Sequence, residues 1–151
     1  MVSDLRDLYQ ELIIDHGRRP RNFSVLENAT CMKEGYNPLC GDKITVYVRD
    51  HDRVIEDITF QGEGCAISMA SASLMTEMLK GKTEQQALEL FSYFHQLVTG
   101  AEDRAFLQEK LSKLIVLGGV SEFPARVKCA TLAWHTMHAA LQQDDKPVST
   151  E

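Results

Sequence analysis

Three cysteines and one aspartate are the side chains best suited to chemistry in this chain of 151 residues. Cys40 and Asp42 flank a single glycine, Cys65 follows a glycine-rich stretch, and Cys129 lies much further along the chain. Each is predicted at a point where a loop meets a helix or strand, so separate stretches can converge there. Thiolates and a carboxylate that meet at one point can bind a metal ion, and a thiolate is also a nucleophile.

These four residues offer zinc a ligand set of three sulfurs and one carboxylate oxygen. We expect Cys65 and Cys129 in the first turn of a helix, where unpaired amides and the helix dipole favour a thiolate. Cys40 is expected in a loop that a neighbouring glycine allows to bend. Because no Cys-x-x-Cys pair is present, the residues alone leave two alternatives open. One is a metal site, and the other is separate core cysteines beside a turn aspartate.

Composition limits the size and the class of the protein. With 44% hydrophobic and 25% charged residues, the chain is expected to form one domain over residues 1–143, followed by a disordered tail at 144–151. The net charge of -6 argues against a nucleic-acid binder, because neutralising phosphates needs a basic face. The one basic cluster comprises Arg18, Arg19 and Arg21, and it is either a solvated loop or a docking site for an acidic protein partner.

The sequence predicts a cytoplasmic protein that does not enter a membrane. Its first residues lack a basic start followed by an apolar run, and the longest apolar run, 114–117, is too short to cross a bilayer. In a reducing compartment, four cysteines are poor candidates for structural disulfides, which favours metal binding or thiol chemistry. Cys31 lacks a second polar ligand beside it and is interpreted as a small buried hydrophobe.

Hydrophobic patterning predicts one helix, then a small sheet, then helices to the end of the domain. The first helix is expected to begin near Ser3 and Asp4 and to stop at Gly17. Three strands with antiparallel neighbours are expected at residues 29–36, 43–49 and 54–61. Further helices are expected from Cys65 to Gly81, after a capping box formed by Thr83 and Gln86, over 102–113, and around Val127 to Leu141, with a loop at 114–125. The fold class is therefore α+β.

Four ordered blocks of the sequence resemble a known family. They are DHGRRPRN at 15–22, NPLCGD at 37–42, GEGCAIS at 62–68 and RVKCATL at 126–132. Together they resemble the SufU branch of the IscU/NifU-N iron-sulfur assembly proteins over nearly the whole chain. The resemblance implies an IscU-type (SufE/NifU-like) α+β fold, in which a three-stranded antiparallel sheet packs against several helices. It also implies a set of metal ligands, which are Cys40, Asp42, Cys65 and Cys129.

Departures from the IscU scaffold pattern favour the SufU branch. Lys128 stands where those scaffolds carry a histidine, and FPARVK at 123–128 does not reproduce their Leu-Pro-Pro-Val-Lys chaperone-recognition stretch. The chain is also longer between the second and third cysteines, with the added length around 101–119. Members of the SufU branch resemble zinc-dependent sulfurtransferases, and the implied partner is a pyridoxal-phosphate cysteine desulfurase of the SufS type.

We therefore expect a sulfur-transfer protein of iron-sulfur cluster biogenesis that uses Zn²⁺. Cys40 is the expected acceptor of persulfide sulfur from the desulfurase, because its loop can move without unwinding a helix. The sulfur would pass to a downstream iron-sulfur scaffold or another thiol acceptor. Arg126, predicted one helical turn before Cys129, is a second catalytic candidate that could stabilise a persulfide anion, and a plain surface arginine is the alternative.

Two other function classes stay open. In the first, the same four residues carry iron or a [2Fe-2S] cluster, since thiolates serve iron as readily as zinc, and the protein is a scaffold for cluster assembly. In the second, zinc is purely structural and the protein is a non-catalytic adaptor of the desulfurase. A structural site should be closed, so Cys40 would then resist alkylating reagents.

Overall fold

A computed structural model of the chain describes residues 2–142 and 148–149, with side chains described within 9–142. The α-helices are α1 (Val2–Arg18), α2 (Ala66–Leu79), α3 (Glu84–Val98), α4 (Arg104–Leu111) and α5 (Pro124–Gln142), with a 3-10 helix at Ser112–Glu122. The strands are β1 (Cys31–Asn37), β2 (Asp42–His51), β3 (Val54–Glu63) and β4 (Val148–Ser149). None of the described helices is long and apolar enough to cross a bilayer.

The predicted three-stranded antiparallel sheet is confirmed. Strand β2 lies in the centre, pairs with β1 through a register that sets Asn37 opposite Asp42, and pairs with β3 on its other side. The two-residue strand β4 extends the sheet by running parallel to β1. Strand β4 falls within the tail predicted to be disordered at 144–151, and the remaining residues of that tail lie outside the described part of the chain.

The core lies between one face of the sheet and the helices. In β2, Ile44, Val46 and Val48 are fully buried, while the residues between them are partly exposed, as the predicted alternation requires. Helix α5 packs over this face, and its Trp134 stacks on Phe94 of α3 at 4.9 Å between ring centroids. The capping box predicted at the start of α3 is also confirmed.

Two glycines predicted to interrupt helical structure instead lie where neighbouring elements pack closely. Helix α1 continues through Gly17, where an added Cβ would lie 3.3 Å from Ala66, so this glycine permits close packing of α1 against α2. The segment predicted as a loop at 114–125 is instead mostly the 3-10 helix, whose apolar residues are buried. There Gly118 leaves room for the guanidinium of Arg104, so it too serves packing.

Candidate metal centre

Cys40 lies in the tight turn that joins β1 to β2. The turn closes through a hydrogen bond from the Gly41 N–H to the Asn37 carbonyl at 2.9 Å. Gly41 has a φ of 73°, a left-handed conformation that glycine adopts without steric cost. The Cys40 side chain is exposed, while Asp42, two residues later, begins β2 and is fully buried. These two residues therefore offer a metal ion one exposed ligand and one buried ligand.

Cys129 lies in the second turn of α5, not in the first turn as expected, because the helix already begins at Pro124. Its side chain is only 2% exposed, and its Sγ lies 3.2 Å from the Cys40 Sγ. Burial, hydrogen bonds to Cys40 and Asp42, and neighbouring negative charge raise the pKa of the Cys129 thiol. The expected lowering by the helix dipole is therefore outweighed, and a thiolate here needs a cation beside it.

Asp42 is held by hydrogen bonds from two different parts of the chain. Its Oδ1 accepts the Cys65 N–H at 2.9 Å, and its Oδ2 accepts from the Asn37 side-chain amide at 3.4 Å. A Cβ added at Gly64 would lie 2.6 Å from Asp42 Oδ1, so only glycine leaves room for this carboxylate. The glycine-rich stretch before Cys65 thus shapes the space around Asp42.

Three of the four predicted ligands meet at one point. The Sγ atoms of Cys40 and Cys129 and a carboxylate oxygen of Asp42 all lie within 4.8 Å of one another. Tetrahedral zinc bonds sulfur at about 2.3 Å, so two sulfurs on one ion stand about 3.8 Å apart. The two Sγ atoms lie 3.2 Å apart, so they would have to separate by about 0.6 Å to bind one zinc ion. Two sulfurs and an oxygen at this spacing fit zinc or iron.

Cys65 lies beside this group, and its Sγ is more than 4.8 Å from at least one of the three ligand atoms. The residue is the N-cap of α2, and its exposed Sγ accepts the Ser68 N–H at 3.4 Å. Because its main chain is bonded to Asp42, rotation of its side chain is the movement by which it could join the group. The structure thus gathers three predicted ligands and keeps the fourth at the edge.

Asn37 is a site residue that sequence analysis did not single out. It is fully buried, and its Nδ2 lies 3.4 Å from Asp42 Oδ2 and 3.5 Å from Cys129 Sγ. Its Oδ1 is buried without a hydrogen-bond partner among the described residues. The available signal was the block NPLCGD at 37–42, in which an asparagine begins the stretch that contains Cys40 and Asp42.

The other singled-out residues lie outside the three-ligand group. Arg126 is exposed, its guanidinium lies over the Phe123 ring at 4.7 Å, and it lines a cavity of about 790 Å³ between α1 and the 3-10 helix. In the basic cluster, Arg21 forms an ion pair with Asp15 at 2.6 Å. Cys31 is half-buried, and burial raises the pKa of its thiol to about 11, which suits a core role.

Comparisons with known proteins show the family of the chain. Residues 8–130 match the family described as NifU-like N terminal domain. The chain is 40% identical over 143 residues to the zinc-dependent sulfurtransferase SufU of Bacillus subtilis, with 95% of each chain covered. It is 39% identical over 142 residues to the iron-sulfur cluster assembly scaffold protein IscU of Streptococcus pyogenes serotype M1, covering 94% of this chain and 87% of that relative.

A solved structure extends the similarity to three dimensions. The crystal structure of FiSufU from Fervidobacterium islandicum AW-1 superimposes with a TM-score of 0.81 at 37% identity, covering 90% of this chain and 98% of that one. The two curated relatives have nearly equal identity and different functional names, so similarity shows the family and leaves the individual role undetermined. The expected IscU-type α+β fold is confirmed. The chain belongs to the NifU-like N-terminal domain family of iron-sulfur cluster assembly proteins.

Proposed function

We propose that the protein is a zinc-dependent sulfurtransferase of iron-sulfur cluster biogenesis, with a pyridoxal-phosphate cysteine desulfurase as its sulfur donor. The observation that carries this proposal is the contrast in exposure within one ligand group. Cys40 is exposed, whereas Asp42 and Cys129 are buried beside it. An exposed thiol can reach the sulfur of a partner protein, while the buried donors keep the ion in place. The four free cysteines fit a reducing compartment, for which we propose the cytoplasm.

The proposed zinc ligands are Cys40, Asp42 and Cys129, with Cys65 as the fourth after its side chain turns inward. Bound zinc would stabilise these sulfurs as thiolates and limit their oxidation. The closeness of the Cys40 and Cys129 sulfurs to the Asp42 carboxylate supports these three as ligands of one ion. The proximity of the Cys65 main chain, through its bond to Asp42, supports it as the fourth ligand.

The transfer step uses the Cys40 thiolate as nucleophile. Cys40 Sγ attacks the outer sulfur of the donor persulfide, a new S–S bond forms at Cys40, and the S–S bond of the donor breaks. The donor cysteine leaves as a thiolate with the electron pair of the broken bond, so no external oxidant or reductant is needed. The turn at residues 38–41 lies at the surface, so Cys40 can approach the donor without unfolding a helix. A downstream scaffold or thiol acceptor then removes the sulfur by the same displacement.

Arg126 remains the second catalytic candidate. Its side chain is exposed near the start of α5, and none of the ion pairs formed by the described side chains uses it. A guanidinium without an internal carboxylate partner can pair with a persulfide anion or with an acidic group of the desulfurase. The Arg126 guanidinium lies over the Phe123 ring, and the residue lines the cavity.

A scaffold for a [2Fe-2S] cluster is the second candidate function. The relative from Streptococcus pyogenes carries that name at 39% identity, and the same sulfurs can bind iron. The adaptor function has less support, because a purely structural zinc site should be closed, whereas Cys40 is exposed. These functions differ in what becomes attached to the protein.

The test is to incubate the purified protein with a cysteine desulfurase and cysteine, and to record native intact-mass spectra. We expect one added sulfur and one zinc on the wild-type protein. Cys40→Ser should lose the sulfur, and Cys31→Ser should keep it, because Cys31 lies outside the ligand group. Iron and sulfide accumulating in place of added sulfur, when iron is supplied, would favour the scaffold. Zinc binding with an unreactive Cys40 would favour the adaptor.

A further inference from the structure

Hydrogen-bond donors are distributed unevenly around the four candidate ligands. Asp42 accepts from two N–H groups, the Cys65 Sγ accepts from a main-chain N–H, and the Cys129 Sγ lies within reach of the Asn37 amide. Among the described residues, the only hydrogen-bond contact of the Cys40 Sγ is with the thiol of Cys129. Of the three ligands that already lie together, Cys40 is therefore the one without an N–H donor among the described residues.

Asn37 creates much of this asymmetry. Its NH₂ group has two hydrogens, and the two nearby acceptors are the Asp42 carboxylate and the Cys129 sulfur. The reversed amide would direct an oxygen at both acceptors, so the two neighbours fix the orientation of the side chain. The sheet register that pairs Asn37 with Asp42, together with full burial, prevents the amide from moving away.

We propose that Asn37 is a positioning residue that holds Asp42 and Cys129 on the metal ion and so leaves Cys40 as the exchangeable ligand. This inference rests on the proposed function, because it explains why one cysteine can leave to accept sulfur while the ion stays bound. Partners that bond to metal ligands from the outer shell commonly change metal affinity by roughly 10- to 100-fold. Asn37 bonds to two ligands at once, which places it among such partners.

The test compares Asn37→Asp with Asn22→Asp. The first change keeps the shape of the side chain but removes both N–H donors. The second is a matched control, because the Asn22 amide bonds to Thr76 on another part of the molecule. Zinc affinity is measured by competition with a chromophoric chelator, and the ligand field is read from the visible spectrum of the cobalt-substituted protein. We expect roughly 10- to 100-fold weaker zinc binding and an altered cobalt spectrum for Asn37→Asp only.

Asn37→Ala addresses the possibility that an aspartate at this position itself binds the ion. We expect the alanine variant also to bind zinc more weakly, with far-UV circular dichroism of the metal-free protein confirming that it folds. A second readout is zinc retention after alkylation of Cys40, followed by native mass spectrometry. The wild-type protein should retain its zinc, and both Asn37 variants should release it.

Wild-type zinc affinity, an unchanged cobalt spectrum and unchanged zinc retention in both Asn37 variants would overturn the inference. None of these readouts needs a desulfurase, so this failure is distinct from a failure of the proposed function. The proposed function fails if the wild-type protein acquires no sulfur on Cys40. The positioning role fails if sulfur transfer is intact but zinc remains equally well bound without the Asn37 amide.

Discussion

The two sides of the candidate metal centre differ in how firmly they are held. On one side, Cys40 lies in an exposed turn. The turn has open space around it, because a Cβ added to the neighbouring Gly41 would meet no atom within 4 Å. On the other side, Cys129 is buried in α5 and lies beside the fully buried Asn37 and Asp42. The two cysteine sulfurs are chemically alike, but the Cys40 side chain is free to move and the Cys129 side chain is not. This difference indicates a site that can bind an ion firmly and still offer one sulfur to a partner.

The largest expected effect comes from removing one sulfur on either side. Cys129→Ser should lose zinc, with a fall in affinity beyond the roughly 100-fold that loss of an outer-shell partner can cause. Cys40→Ser should bind zinc with a smaller loss, because the buried donors remain. Chelator competition on both variants measures the two affinities. Equal losses would contradict the difference between the two sides.

Removal of the metal should also destabilise the fold. A ligand present at 1,000 times its Kd adds about 4 kcal/mol to the free energy of unfolding, which corresponds to a shift in Tm on the order of 10 °C for a domain of this size. We expect a Tm decrease of that order when a chelator removes the ion from the wild-type protein. Cys129→Ser should show no further decrease with chelator, since its metal is already lost. Differential scanning calorimetry with and without chelator provides the comparison.

Two glycine substitutions distinguish a loss of zinc affinity from a loss of stability caused by backbone strain. Gly64→Ala places a Cβ against Asp42 Oδ1, so the carboxylate must shift, and we expect roughly tenfold weaker zinc binding. Gly41→Ala meets no atom but forces alanine into a left-handed conformation, which costs about 1 kcal/mol of stability. Its zinc affinity should stay near that of the wild-type protein. The prediction is wrong if Gly41→Ala weakens zinc binding more than Gly64→Ala does.

The smallest expected effect is on the alkylation rate of Cys31, which lies outside the candidate metal centre. With a pKa of about 11, raised by burial and by the nearby charge of Asp50, roughly one Cys31 thiol in a thousand is ionised at pH 8. In the metal-free protein, Cys31 should react with iodoacetamide more slowly than the exposed Cys40, and its rate should rise about tenfold per pH unit up to its pKa. Peptide mapping of labelled protein over a pH series measures both rates. Fast, pH-independent labelling of Cys31 would contradict its half-buried placement.

Much of the fold could be predicted from the sequence because its signals are local. The alternation of Ile44, Val46 and Val48 identified the central strand, and the pairing of Thr83 with Gln86 identified the start of a helix. Signals that depend on packing were misread. Gly17 and Gly118 leave space for neighbouring elements and break no helix, which local sequence cannot reveal.

The candidate site was predictable in its composition and less so in its geometry. The types and spacing of the cysteines and Asp42 selected the residues, and three of them meet in the structure. The position of Cys129 in the second turn depends on α5 beginning at Pro124, a residue favoured at the first position of a helix. Cys65 caps α2 through a local hydrogen bond from Ser68, whereas the contact of Asn37 with Cys129 depends on tertiary structure, which no local pattern could predict.

The central claim is that Cys40 leaves the ligand set to accept sulfur while the ion stays on the protein. The most direct measurement loads the wild-type protein with sulfur from a cysteine desulfurase, records its native mass, and maps the modified cysteine by peptide analysis. We expect one sulfur on Cys40 in molecules that still carry one zinc. Sulfur on Cys65 or Cys129, or loading that occurs only with loss of zinc, would contradict the claim.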